Sequence, residues 1–252
     1  MSAGPPRGGH YSYQVYADPR MAERFDALRF GGPIGRLLAD AQEQQIAEFL
    51  APVAERAVLD VGTGTGRAAI ALARRGAIVT AVDASGEMLA VAQRRAREAD
   101  VHVAFMSGDV HALQFGDGAF DAVVCLRVLM HTPDWRRAVQ ELCRVARRHV
   151  VLDFPARWSV AALQAVSRAA AHTVNPGVEA YRVFSSRQVG AALDRSGFRI
   201  AAEHRQFTLP IALHKRLGSA AWTTRVERVL AAAGVTRRFG SPVTIVAERC
   251  AS

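Results

Sequence analysis

The sequence predicts an α/β fold in which a doubly wound, mostly parallel sheet of seven strands carries helices on both faces. Two patterns and one motif predict it. Short apolar runs at 58–61, 77–82, 101–106, 122–126 and 149–153 alternate with segments whose apolar residues recur at helical spacing, the βα signature of such a sheet. Two later runs, 198–207 and 242–248, read as strands six and seven. The motif lies where the first run ends: Asp60-Val61-Gly62-Thr63-Gly64-Thr65-Gly66, then Ala69, Ile70, Leu72 and Ala73 on one helical face. That is a strand, a tight turn and a helix. Its glycines permit positive φ and close approach of a ligand, and the helix start offers unpaired N–H groups. At the carboxyl end of a parallel strand such a turn is a small-molecule cradle.

In chain order, residues 1–10 read as a disordered tail ahead of one domain over 11–252. Residues 11–50 are expected to cover one edge of the site, with Tyr11, Tyr13 and Tyr16 before Asp18-Pro19 and an amphipathic helix from about Ile34 to Leu50. Two uses are open to the tyrosines: closing over a flat ligand, or stapling the helix that follows. The helix after the glycine turn runs to Arg75 and is ended by Gly76. Ser85 caps a helix from Gly86 to Ala99, with Glu87 in its first turn. Thr132 and Pro133 read as N-cap and first position of a helix to about Arg147, and Ser185 or Ser186 caps another that ends at Gly197. The segment 156–184, with an Ala-rich helical pattern, and the segment 208–241, with patterns at Ile211–Leu217 and Ala221–Ala233, read as helical caps. A dimerisation helix, and with it a homodimer, is the other reading of 208–241.

The glycine turn alone fits two ligands. Gly64-Thr65-Gly66-Arg67-Ala68-Ala69 satisfies a dinucleotide fingerprint, whereas Asp60 at the strand end suits a cationic ligand group and repels a pyrophosphate. Asp83, at the end of the second strand and 23 residues beyond Asp60, is placed for ribose hydroxyls in either case. Downstream, Ser107-Gly108-Asp109-Val110 and the run Leu113-Gln114-Phe115-Gly116-Asp117-Gly118-Ala119-Phe120-Asp121 depart from a dehydrogenase. Together these motifs resemble the class I S-adenosylmethionine-dependent methyltransferases, of the broad small-molecule type that includes the ubiquinone and menaquinone enzymes, over roughly residues 55–155. Gln114 and Gly116 stand where that pattern has prolines, and the N-terminal Tyr-Asp-x-x-Asn signature of the ubiquinone/menaquinone branch is absent.

The resemblance implies a Rossmann-like fold, S-adenosyl-L-methionine as cofactor and methyl transfer to a small, largely apolar organic acceptor. It implies a cofactor site of Asp60, Gly62, Thr63, Gly64 and Gly66 from the turn, with Asp83, Ala84 and Met88 around ribose and adenine. Gly108, Asp109 and Val110 would follow at the adenine edge, Leu126 at the exit of strand four, and Tyr16 from the N-terminal arm. Methyl transfer from a sulfonium is an in-line displacement, for which positioning and a dry cleft matter most. A base is needed only where the nucleophile must lose a proton. His131, at the cleft rim, is the catalytic candidate, with bonding of the strand-to-helix backbone as its other reading and Asp153 as a second candidate.

Composition narrows the partners. The net charge of +9 would raise nucleic acid as a partner, but 31 of the 32 basic residues are arginines spread through the chain, and several pairs suit helix ends. No stretch is apolar enough to span a bilayer, and the opening Met1 to Gly9 is polar and Gly/Pro-rich, unlike a signal peptide, so a cytoplasmic protein is expected. Cys125, Cys143 and Cys250 fit neither a disulfide framework nor a metal site. Two rivals remain in view. One is a nucleic-acid methyltransferase, against which stands the missing Asp/Asn-Pro-Pro-aromatic run after strand four. The other is a cofactor-binding protein without transfer activity, which intact Asp60, Asp83 and Asp109 do not exclude.

Overall fold

The computed structural model describes residues 18–159, 162 and 182–251. The expected tail, the tyrosine arm with Tyr16, and most of 156–184 lie outside these residues. The described chain starts with two helices, α1 (Pro19–Phe30) and α2 (Gly32–Phe49), joined at Gly31. Asp18 caps α1 by accepting the Arg20 N–H, and Pro19 occupies the first turn, where its missing donor costs nothing. The βα alternation follows as β1 (Ala57–Val61), α3 (Arg67–Ala73), β2 (Ile78–Asp83), α4 (Gly86–Glu98) and β3 (Val103–Ser107). Then come β4 (Phe120–Cys125), α5 (Trp135–Val145), β5 (Ala146–Phe154), α6 (Ser186–Asp194) and β6 (Phe198–Phe207). Three short helices, α7 (Ile211–Leu217), α8 (Ala220–Ala232) and α9 (Val235–Phe239), precede β7 (Ser241–Arg249).

The seven expected strands form one sheet in the order β3-β2-β1-β4-β5-β7-β6. β1 to β5 pair in parallel, and β7 lies antiparallel between β5 and β6. Strand alternation sends Val58, Val79, Ala81, Val124 and Val151 into one core with Ile46 of α2 and Leu72 of α3. Leu59, Val61, Val123, Val150 and Leu152 enter a second core with Val139 and Leu142 of α5 and Leu193 of α6. Burial on both faces explains why these strands read as continuous apolar runs. The strand order reverses between β1 and β4, which opens a crevice at their carboxyl ends.

Three boundaries differ from expectation. Thr132 and Pro133 do not start the helix after β4: a single 3₁₀ turn, Leu129–His131, comes first, and Asp134 caps α5 by accepting the Arg137 N–H at 3.1 Å. Thr132 turns its hydroxyl back instead, donating to the Val128 carbonyl at 2.8 Å. α5 stops at Val145 because β5 begins at the next residue, so Arg147 lies in a strand and pairs with Asp121 at 2.9 Å. The segment 208–241 holds a third helix, α9, whose five residues are too few to show a helical period.

Candidate functional site

A cleft of about 470 Å³ opens over the carboxyl ends of β1 to β4, within the roughly 300–1,000 Å³ typical of small-molecule sites. Its floor is the glycine turn. The Gly62 and Thr63 N–H groups both donate to the Val82 carbonyl, at 2.7 and 3.1 Å, and tie the turn to β2. Gly62 has φ +69°, and a Cβ there would stand 2.2 Å from Val128 Cγ2, so only glycine fits. Gly66 is set back from the cleft: at φ +82° it starts α3, and a Cβ would meet Ala92 of α4 at 2.9 Å. It serves close helix packing, which is why it does not join the expected cleft residues.

Three acids mark the floor. Asp60, 2% exposed, accepts the Thr63 hydroxyl at 2.7 Å, and burial pushes its pKa up to about 6 against the pull of that bond. Asp83 accepts the Gly64 N–H on Oδ2 at 2.7 Å and the Ser85 N–H on Oδ1 at 2.9 Å. Burial raises its pKa, and these N–H groups oppose the rise. Asp109 accepts the His111 N–H at 2.9 Å, with the His111 Nδ1 at 2.7 Å from the same oxygen. Ala84, Met88, Gly108, Val110 and Leu126 line the cleft between these acids, and His131, 8% exposed, stands at its β4 end beside Thr132. Tyr16 lies outside the described residues.

Several cleft residues escaped sequence reading. α1 covers the site with Phe25, Arg29 and Phe30. The Arg67 guanidinium stacks 3.7 Å from the centre of the Phe30 ring, and its Nη2 approaches Gln42 Oε1 at 3.5 Å and Glu43 at 3.7 Å. Gln42 in turn donates to Asp153 Oδ2 at 3.0 Å, and the Arg127 N–H donates to Asp153 Oδ1. Asp153 therefore spends both oxygens joining α2 to the β4 exit and does not line the cleft, which removes it as the second base. α1 is held by polar contacts: Thr65 donates to Asp26 at 2.8 Å, Arg95 pairs with Asp26, and Arg94 grips Glu23 at 3.0 and 2.9 Å. The signals were present, an arginine directly after the last glycine and the run from Phe25 to Phe30, but nothing in the sequence says that they meet.

Cys125 is fully buried, and burial raises its thiol well above the usual range, so it offers no thiolate. Among the described residues no group of three His, Cys, Asp or Glu side chains could hold a metal ion. No helix among them is long and apolar enough to cross a membrane.

A family model described as a methyltransferase domain matches residues 58–149, the span that supplies the glycine turn, the three acids and His131. Over that span the chain is similar to methyltransferases. A demethylmenaquinone methyltransferase of Thermus thermophilus is 40% identical over 144 residues, which is 54% of this chain and 63% of that protein. A ubiquinone biosynthesis O-methyltransferase of Alkalilimnicola ehrlichii is 42% identical over 111 residues, 43% of this chain and 45% of that protein. The chain thus spans less than two thirds of the length of these relatives. Magnesium protoporphyrin IX methyltransferase from Synechocystis PCC 6803, solved with bound SAH, superposes with a TM-score of 0.68 at 19% identity, over 95% of this chain and 98% of that one. That likeness is one of fold, and it extends the class I Rossmann-like fold of the methyltransferase domain through α6 to β7.

Proposed function

We propose that the protein binds S-adenosyl-L-methionine in this cleft and transfers its methyl group to a small organic acceptor. The observation that carries the reading is the convergence of Asp60, Asp83 and Asp109, from three successive strand tips, on one cleft floored by the glycine turn. The cleft suits a nucleoside with a cationic tail. A Cβ at Gly64 would meet nothing within 4 Å, so the turn leaves open space beside Asp83. Asp83 would bond the ribose hydroxyls, Asp109 the adenine edge between Met88 and Val110, and Asp60 would face the cationic end. Bound there, the cofactor supplies a methyl group on a sulfonium, whose carbon–sulfur bond breaks as the acceptor atom takes the methyl.

The sheet order β3-β2-β1-β4 puts His131 and Thr132 at the end of the cleft opposite Asp109. The acceptor enters there, against Phe30 and Val128, with α1 above it to exclude water. His131 takes the proton of an acceptor that carries one. The demethylmenaquinone and ubiquinone enzymes among the relatives support an acceptor with a mostly apolar ring. Arg29, Arg67 and Arg127 also stand on the cleft walls.

The same reading takes the protein as cytoplasmic and without a nucleic-acid partner. Its arginines support the second point: Arg94, Arg95, Arg144, Arg147 and Arg205 are each paired with a carboxylate of their own chain. Leu217 and Val229 of the inserted helices are 50% and 63% exposed, which favours a homodimer through 208–241 as a second use of that segment. Calorimetric titration with S-adenosylhomocysteine tests the donor site. Asp83→Ala should weaken binding by about 1 to 3 kcal/mol through lost charge-assisted bonds, and an unchanged affinity would move the ribose elsewhere.

A further inference from the structure

Among the described residues, none of 208–241 lines the cleft. One side chain of that segment nevertheless reaches the cleft wall. The Lys215 ammonium, on α7, donates to the backbone carbonyls of Leu28 at 3.1 Å and Arg29 at 3.0 Å, in the last turn of α1. The final carbonyls of a helix have no partner within it, and a cation there also meets the negative end of the helix dipole. α1 has no local cap, because Gly31 leaves in an extended conformation and α2 starts at Gly32. Arg29 and Phe30, at the end of this turn, are cleft residues, and Phe30 carries the stacked Arg67.

We propose that Lys215 is a positioning residue: from the inserted helices it fixes the last turn of α1, and so holds Arg29 and Phe30 in the wall of the cleft. The root of the side chain is rigid. Its neighbour His214 is fully buried, bonded to Glu227 at 2.9 Å through Nε2 and to Thr223 at 3.0 Å through Nδ1. Glu227 also accepts the Thr208 and Leu209 N–H groups at 2.8 and 2.9 Å, and Thr208 bonds Thr236 of α9 at 2.8 Å. This network locks α7, α8 and α9 to the end of β6, so a fixed body carries the ammonium. α7 and α8 also pack on α2, the helix that follows the capped turn.

Lys215 is the sole lysine among 32 basic residues. An ammonium can bring two adjacent carbonyls to one nitrogen, a geometry that the planar fork of arginine spreads over two. Its neighbours are cationic: burial, then Arg29 and Arg127, lower its pKa. The carbonyls of α1 are therefore what hold it in place.

Amide hydrogen exchange on the ligand-free full chain, paired with titration of S-adenosylhomocysteine, tests the proposal in wild type, Lys215→Met and Lys215→Arg. The exchange arm is independent of the donor reading, and the titration arm rests on it. In Lys215→Met the amides around Phe25–Phe30 should exchange about tenfold faster with the sheet unchanged, and affinity should fall about fivefold as the cleft wall loosens. Lys215→Arg, which keeps a cationic donor but spreads it over two nitrogens, should recover part of both. Unchanged exchange in α1, a uniform rise across the whole chain, or a looser α1 with unaltered affinity would each overturn the proposal. If the wild type bound no S-adenosylhomocysteine, the donor reading would fail while the exchange arm still decided the role of Lys215.

Discussion

Asp60 sits at the tip of β1 with a pKa raised from 3.8 to about 6, chiefly by burial. A folded-state pKa above the unfolded value means that the native protein holds this proton more tightly than the unfolded chain does. The group's contribution to stability is therefore fullest below pH 4 and is lost as pH rises through about 6. Ionised, the buried carboxylate costs on the order of 3 kcal/mol. The structure keeps this unfavourable charge beside the glycine turn, where a cationic ligand group would offset it. Affinity for S-adenosylhomocysteine, whose ammonium would meet Asp60, should accordingly rise between pH 5 and 7 and level off above the folded pKa. Titrations across that range should show the rise in wild type and a flat profile in Asp60→Asn; identical profiles would place the ammonium elsewhere.

At the scale of elements, local signals and remote contacts fared differently. β1 to β5, α4 and α6 were legible because each carries its own signal: a doubly buried apolar run, the Ser85 cap, or the Ser185–Gln188 capping box. The covering role of α1 was legible only in outline, since its hold on the cleft depends on Thr65, Arg94, Arg95 and Lys215, between 39 and 187 residues away. That Gly66 faces α4 and not the cleft was not legible, because a turn glycine facing a ligand and one facing a neighbouring helix look alike in sequence. The inserted helices read as a cap over the acceptor, yet their polar centre is His214 with Glu227, which binds the segment to itself. His214→Ala should cost about 1 to 3 kcal/mol by leaving Glu227 and Thr223 short of partners. Urea unfolding and exchange in 208–241 read that loss, and full retention of both would mean that the helices are held by apolar contact alone.

For the whole molecule, seven strands in the order β3-β2-β1-β4-β5-β7-β6 place the described cleft residues Asp60, Asp83, Asp109 and His131 on the β3 to β4 half of the sheet. The helices α7 and α8 of 208–241 pack on α2, and Lys215 bonds the last turn of α1. The methyltransferase match over 58–149 takes in the glycine turn, the three acids and His131 but neither α1 nor the inserted helices. The +9 charge comes from arginines spread through the chain, some of them paired with carboxylates in place. A mobility-shift assay at physiological salt should thus show only weak, sequence-indifferent and salt-sensitive nucleic-acid binding; tight binding of a structured RNA would assign the surface a different role. The donor site itself is tested most directly by calorimetric titration of the full chain with S-adenosylhomocysteine, and separately with a nicotinamide dinucleotide. One-site binding of the first, weakened by Asp83→Ala, and no heat from the second is the predicted result. Binding of the dinucleotide without binding of S-adenosylhomocysteine would contradict it.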